Sequence, residues 1–246
     1  MGQRPLLSGH SRTFMNSVQL LSGGAAQGLV TQLQSRFESA YGLGIHGTFN
    51  AVGAMKESLL AGTACDVIIL TQALIDQLLL SGHLIAGSAQ VVGVVKTGVA
   101  VKHGHPGPDV GNPAALKTAF EAARGIYFPD PVKATAGIHV LNVLKQLGLD
   151  AKLADRLRTY PNGALAMKAM AECDEPGLIG FTQITEILNT PGVDLIAPLP
   201  KEFELATVYM AAVNTSAAKP KAAHDLINML TSQDAAALRL RCGFEA

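Results

Sequence analysis

Apolar positions along the chain switch between two periods. Short continuous runs of hydrophobic residues are followed by stretches where they recur every three or four positions. Residues 17–22 read as a strand, and Ala26, Leu29, Val30, Leu33 and Phe37 then repeat at helical spacing. "GLGIHGTF" predicts a second strand, and Met55, Leu59 and Leu60 begin a short helix. "CDVIIL" is apolar throughout, as a parallel strand covered on both faces tends to be. Leu74, Ile75, Leu78 and Leu79 mark the next helix, which completes a βαβαβ unit.

The long β-branched run "QVVGVVKTGVAVK", residues 90–102, contains Gly93 and Gly98. It suits a strand that bends while passing from one lobe to another. "NPAALKTAFEAAR" predicts a helix with Asn112 as cap, Pro113 at its first position, and Leu116 and Phe120 in the core. "GIYF" predicts a strand, and "TAGIHVLNVLKQLG" a helix closed by Gly148. "NGALAMKAMAE" is another helix, while "GLIGF" and "VDLIAP" are strands. The apolar strand 206–213 is placed like a return crossing. Pro220 opens a helix with Leu226, Ile227 and Leu230 on its apolar face, and Ser232 caps a last one carrying Leu238.

These elements predict an α/β fold of two lobes joined by two crossing strands. The first lobe takes residues 17–95 and 212–246, and the second takes 98–206. Residues 1–16 read as an N-terminal extension. A ligand in such a fold lies between the lobes, at the carboxyl ends of strands.

Composition narrows the function. Hydrophobic residues make up 48% and charged residues 15% of the chain, which supports a sizeable core. The formal net charge is zero and Lys/Arg runs are absent, so no nucleic-acid partner is expected. No apolar run reaches the length of a membrane span. Cys65, Cys173 and Cys242 are far apart and read as free thiols, and no Cys/His spacing suggests a metal. The first residues lack the apolar segment of an export signal. The expected location is therefore cytoplasmic, or periplasmic if an export segment has been removed.

Six junctions between predicted strands and helices are rich in small or neutral polar residues. They are "SGGAAQG", "FNAVGAM", "LTQAL", "DPVKATAG", "YPNGA" and "GFTQIT". Unpaired N–H groups and the positive end of the helix dipole attract anions at helix starts. Several starts facing one cleft would hold a small-molecule anion without a basic side chain. Gly23 and Gly28 have P-loop separation, but Leu29 stands where the P-loop lysine belongs, and G-x-G-x-x-G is absent. Neither a nucleotide nor any other cofactor is expected.

The order and spacing of these pieces resemble the type II periplasmic-binding-protein superfamily, close to its molybdate receptors. "GTFNAVGAMKESLLAGTACDVIIL", "FPDPVKATAGIHVLNVLKQLG", "GALAM" and "GLIGF" carry the resemblance, which covers nearly the whole chain from Val18. The departures point away from molybdate. Ala25 stands where such receptors place a serine, and "NAVGAM" offers no hydroxyl. Gln183 replaces a tyrosine, and Pro161 cannot donate where a backbone N–H is usual. Each lost buried partner costs on the order of 1–3 kcal/mol.

"LSGG", "GFTQITEI", "PGVDLIAPLP" and "TVYMAAV" resemble a subgroup that includes aconitate isomerase. That resemblance implies binding of a small polycarboxylate and an allylic proton shift. Ser22, Gly23, Gly24, Asn50, Ala136 and Gly137 would then surround the carboxylate that gathers charge, and Thr135 would also bind the ligand. Thr71, Asn162 and Gln183 would orient the other carboxylates, and Tyr209, Asp130 and Lys133 are the candidates for proton transfer. The alternative is a non-catalytic solute-binding protein or sensor for a carboxylate or molybdate-like oxyanion. It would have an ABC permease as partner only if exported.

Overall fold

The computed structural model describes residues 16–246; the predicted extension lies almost wholly outside the described residues. Strand β1 (Ser17–Gly23) is buried along its whole length, in keeping with its apolar run. It lies between two parallel neighbours, β2 (Gly44–Asn50) and β3 (Val67–Thr71). Helix α1 (Gln27–Tyr41) links β1 to β2 and buries Leu29, Val30, Leu33 and Phe37. Gly42 ends it in the left-handed region, at φ 68°, where a side chain would be strained. Helix α2 (Val52–Leu60) links β2 to β3, and α3 (Gln72–Leu80) follows β3.

Strand β4 (Gln90–Lys102) belongs to both lobes. Residues 90–96 pair antiparallel with β9 (Ala206–Val213), and residues 97–102 pair with β7 (Leu178–Gln183) and β8 (Val193–Pro198). The register slips once near each end, between Val91 and Gly93 and between Val99 and Ala100. At Gly93 a Cβ would meet Phe244 and the carbonyl of Glu245, so the glycine lets the C-terminal segment pack onto the bend. The chain returns through residues 199–205, where Thr97 exchanges backbone hydrogen bonds with Leu199 and Leu205. All of β9 then pairs with β3 and β4.

The second lobe adds α4 (Pro113–Ala122), β5 (Gly125–Pro129), α5 (Thr135–Gln146), β6 (Leu157–Tyr160), α6 (Gly163–Glu172) and α7 (Ile184–Leu188). The chain finishes with α8 (Pro220–Thr231) and α9 (Ala236–Arg241) on the first lobe. The strand order is β2-β1-β3-β9-β4-β7-β5-β6, with β8 also on β4. The sequence pattern does not mark β6. It is four residues long, half-buried, pairs only with β5 and contains Arg158 and Thr159, so it has no apolar run to show.

Each lobe has its own core. Phe37, Ile68, Leu70, Leu226 and Phe244 lie in the first. Phe120, Phe128, Phe181 and Leu144 lie on one side of the second lobe's sheet, and Met167, Met170 and Ile187 form a further cluster. Among the described residues, no helix is long and apolar enough to cross a membrane, and no cluster of His, Cys, Asp and Glu could hold a metal.

Candidate functional site

A cleft of about 270 Å³, counting the solvent at its mouth, opens where the lobes meet. It lies at the carboxyl ends of β1, β2, β5, β6 and β7. Gly24 and Ala25 follow β1, Asn50 ends β2, Pro129 ends β5, Asn162 follows β6 and Gln183 ends β7. Val52, Thr135, Ala136, Glu186 and Tyr209 complete the wall.

The helix starts differ inside and outside this cleft. Away from it, Asn112 caps α4 by accepting from Ala114 N and Ala115 N. Within it, α2 and α5 begin at Ala51 and Ala134, which have no capping side chain. Gly53 N of α2 donates to Lys133 O at 3.1 Å, and the remaining first N–H groups have no capping side chain to satisfy them. Helix α6 is different. Asn162 Oδ1 accepts from Leu165 N, and its Nδ2 donates across the cleft to Asn50 Oδ1 at 3.1 Å.

A carboxyl of the protein itself already lies at the start of α6. The carboxyl of Glu186 is directed there and accepts from Thr182 Oγ1 at 2.5 Å. The amides of Ala164, Gln183 and Gly163 favour its charged form, but burial works harder in the other direction. With 6% of its surface exposed, Glu186 is held above the usual carboxylate range. Two glycines make room for it. A Cβ on Gly24 would run into Glu186 Oε1, and one on Gly163 into Glu186 Oε2 and Thr182 Oγ1.

Gln183 and Tyr209 are the other buried polar groups of the wall, 3% and 2% exposed. The amide of Gln183 makes no hydrogen bond of good geometry, and the group within its reach is the Tyr209 hydroxyl. Buried polar atoms are nearly always paired, so an amide so weakly engaged on a cleft wall has capacity left for a ligand or water. Burial, with the nearby Glu186 charge second, pushes the Tyr209 phenol far up, and its hydrogen bond with the Gln183 side chain only partly offsets this. Burial therefore favours the neutral, donating form of Tyr209.

Of the residues expected from sequence, Gly24, Asn50, Thr135, Ala136, Asn162, Gln183 and Tyr209 line the cleft. The others do not. Ser22 is fully buried and its hydroxyl donates to Gly23 O. Gly23 is a spacer against Val52 and the Tyr209 ring, and Gly137 lets α5 approach the carbonyls of Pro129 and Asp130. Thr71 and Lys133 line an adjoining surface groove with Leu74, Val132 and Ile138, which shares Val52 and Thr135 with the cleft. Lys133 Nζ pairs with Glu57 at 2.7 Å. Asp130 Oδ1 accepts from Val132 N and Lys133 N, which makes it a turn residue.

Glu186 is the polar cleft residue that sequence reasoning missed. Its one sequence signal is position: it stands three residues after Gln183, the N-cap of α7, where an acid commonly reaches back to the cap N–H. That pattern alone describes a helix cap and not a site.

Comparisons with known proteins fit this geometry. Residues 18–245 match the family model described as "Bacterial extracellular solute-binding protein". An aconitate isomerase of Pseudomonas sp is 26% identical over 245 residues, covering 96% of this chain and 89% of that protein. The periplasmic molybdate-binding protein of Azotobacter vinelandii superposes with a TM-score of 0.77 at 18% identity, covering 94% of this chain and 99% of that one. A sulfate-binding protein of Mycobacterium tuberculosis gives 0.71 at 13%, covering 93% and 86%. A putative spermidine/putrescine ABC transporter of Listeria monocytogenes gives 0.67 at 13%, covering 94% and 83%. These likenesses show a fold that serves several ligand chemistries. With nearly its whole length matched and its cleft at the strand ends between two lobes, the chain belongs to the bacterial extracellular solute-binding protein family.

Proposed function

We propose that this chain binds a small unsaturated polycarboxylate between its lobes and isomerises it by an allylic proton shift, as between trans- and cis-aconitate. The observation that carries the ligand class is the wall itself. Among the described residues it contains no Lys, Arg or His, yet it offers the uncapped starts of α2 and α5 and the amide of Gln183. Such dipoles suit carboxylates spread over several positions, and each is aimed before the ligand arrives. Thr135, Ala136, Asn50 and Gly24 surround the carboxylate that gathers charge, while Gln183 and Tyr209 donate to the others. The likeness to an aconitate isomerase supports the chemical step.

The second reading is a solute-binding protein without chemistry, with an ABC permease as partner. The family match and the structural neighbours favour it, because closing two lobes on a ligand serves transport as well as catalysis.

One experiment separates them. The purified protein is incubated with trans-aconitate, and cis-aconitate is followed by chromatography. Steady formation of the cis isomer supports the isomerase. A rise in melting temperature with tricarballylate, the saturated analogue, but no turnover of trans-aconitate leaves the binding protein. A rise with molybdate and none with tricarboxylates overturns the ligand class. Ligand at 100 times its dissociation constant stabilises by about 2.7 kcal/mol, which such a melt resolves.

A further inference from the structure

We propose that Glu186 is the group that removes and returns the migrating proton, a single base serving both ends of the allylic system. This rests on the isomerase reading above. Among the described residues lining the cleft, Glu186 and Tyr209 are the titratable ones, and Glu186 is the carboxyl. Asp130 and Lys133 are engaged outside it.

The surroundings of Glu186 fix the carboxyl and leave it chemically active. Thr182 holds Oε2, and the missing side chains of Gly163 and Gly24 form the slot in which the head group sits. Oε1 lies against Gly24, on the opposite lobe from the backbone that carries Glu186. This oxygen thus sits where the two lobes meet, on the wall of the cleft. The titratable group facing it from other elements is Tyr209 on β9, which stays neutral. A buried carboxyl with no cationic neighbour is a stronger base than a solvated one, as proton abstraction from carbon requires.

The proton count closes without another reactant. The Glu186 carboxylate takes a proton from the allylic CH₂, so a C–H bond breaks and an O–H bond forms. The electron pair spreads over three carbons and into the adjoining ligand carboxylate, where helix-start amides and the Gln183 amide meet the charge. Glu186 then gives the proton to the carbon at the other end of the allyl unit. A new C–H bond forms, the double bond has moved by one position, and the carboxylate is restored. The two carbons share one face and are two bonds apart, within reach of one base.

The test compares wild type with Glu186→Gln and Glu186→Asp. Turnover of trans-aconitate is followed by proton NMR, and the melting shift with tricarballylate reports binding separately. Glu186→Gln is expected to lower kcat by about 10²–10⁴-fold while the tricarballylate shift persists. Glu186→Asp keeps the acid but withdraws it by one methylene. It is expected to lose about 10- to 100-fold in kcat while retaining the fall in rate on the acid side of the pH profile. Glu186→Gln turning over within tenfold of wild type overturns the proposal and leaves the isomerase reading standing. A wild type inert toward trans-aconitate overturns both. If Glu186→Gln does not fold, Glu186→Asp decides: a rate equal to wild type overturns the proposal.

Discussion

The β5–α5 and β7–α7 junctions of the second lobe each present a carboxylate near a helix start, and the two have opposite fates. Asp130, in "FPDPV", accepts two N–H groups from its own turn. Glu186, in "TQITEI", is nearly sealed from solvent between two glycines that lie 139 residues apart, Gly24 and Gly163. Both accept hydrogen bonds, so bonding does not distinguish them. Depth does. A carboxyl at a solvated turn is a structural fastener, whereas one in a slot with no cation nearby holds its proton more tightly and can exchange it with a ligand.

The sharpest way to break this comparison is to remove each acid in turn. Glu186→Gln is expected to cut kcat by about 10²–10⁴-fold. Asp130→Ala is expected to leave kcat within about threefold and to lower stability by about 0.5–1.5 kcal/mol, read from denaturant melts. Equal losses of kcat would mean that the two junctions do not differ in the way described.

Filling the slot comes next. Gly163→Ala forces a methyl against Thr182 Oγ1 and Glu186 Oε2. It is expected to cost about 1–3 kcal/mol in stability and to lower kcat by displacing the acid. Urea unfolding and steady-state kinetics read the two effects separately.

Thr182→Val removes the hydroxyl that favours the charged form of Glu186. The acid side of the pH–rate profile is expected to move to higher pH. A loss of stability on the order of 1–3 kcal/mol is also expected, from the unpaired carboxyl oxygen. An unmoved profile in a folded Thr182→Val protein would show that another group sets it.

The smallest effect is on stability against pH. The Glu186 pKa is raised on folding, so the folded state binds the proton more tightly than the unfolded chain. The penalty for ionising it is absent below the unfolded carboxyl range. It grows as pH rises from that range through the folded pKa, so stability falls across this window. Glu186→Gln is expected to flatten that part of a melting-temperature profile, while Asp130→Ala is not.

Much of the molecule was legible because its signals are local. "CDVIIL" and "ATVYMAAV" could be read as buried strands from their own residues, and Pro113 and Pro220 mark helix starts wherever they occur. Strand β6 was not legible, because an edge strand of four residues needs no apolar run. The site divides in the same manner. Asn50, Asn162 and Gln183 stand at the ends of recognisable strands or the starts of recognisable helices, where the fold puts ligands. Ser22 and Thr71 also sit at strand ends, but strand ends do not tell which way a side chain turns. Ser22 closes on its own backbone, and Thr71 faces another groove.

The sequence by itself determined the elements apart from β6, their order and thereby the two-lobed α/β architecture, because period and capping are properties of neighbouring residues. Only the tertiary structure decided which carboxyl is chemically set apart. Nothing within "GFTQITEI" shows that Gly24 and Gly163 vacate space for Glu186, or that Tyr209 arrives from β9 beside it. The energy of an ionised group depends on what surrounds it in every direction, and those surroundings are assembled from residues far apart in the chain.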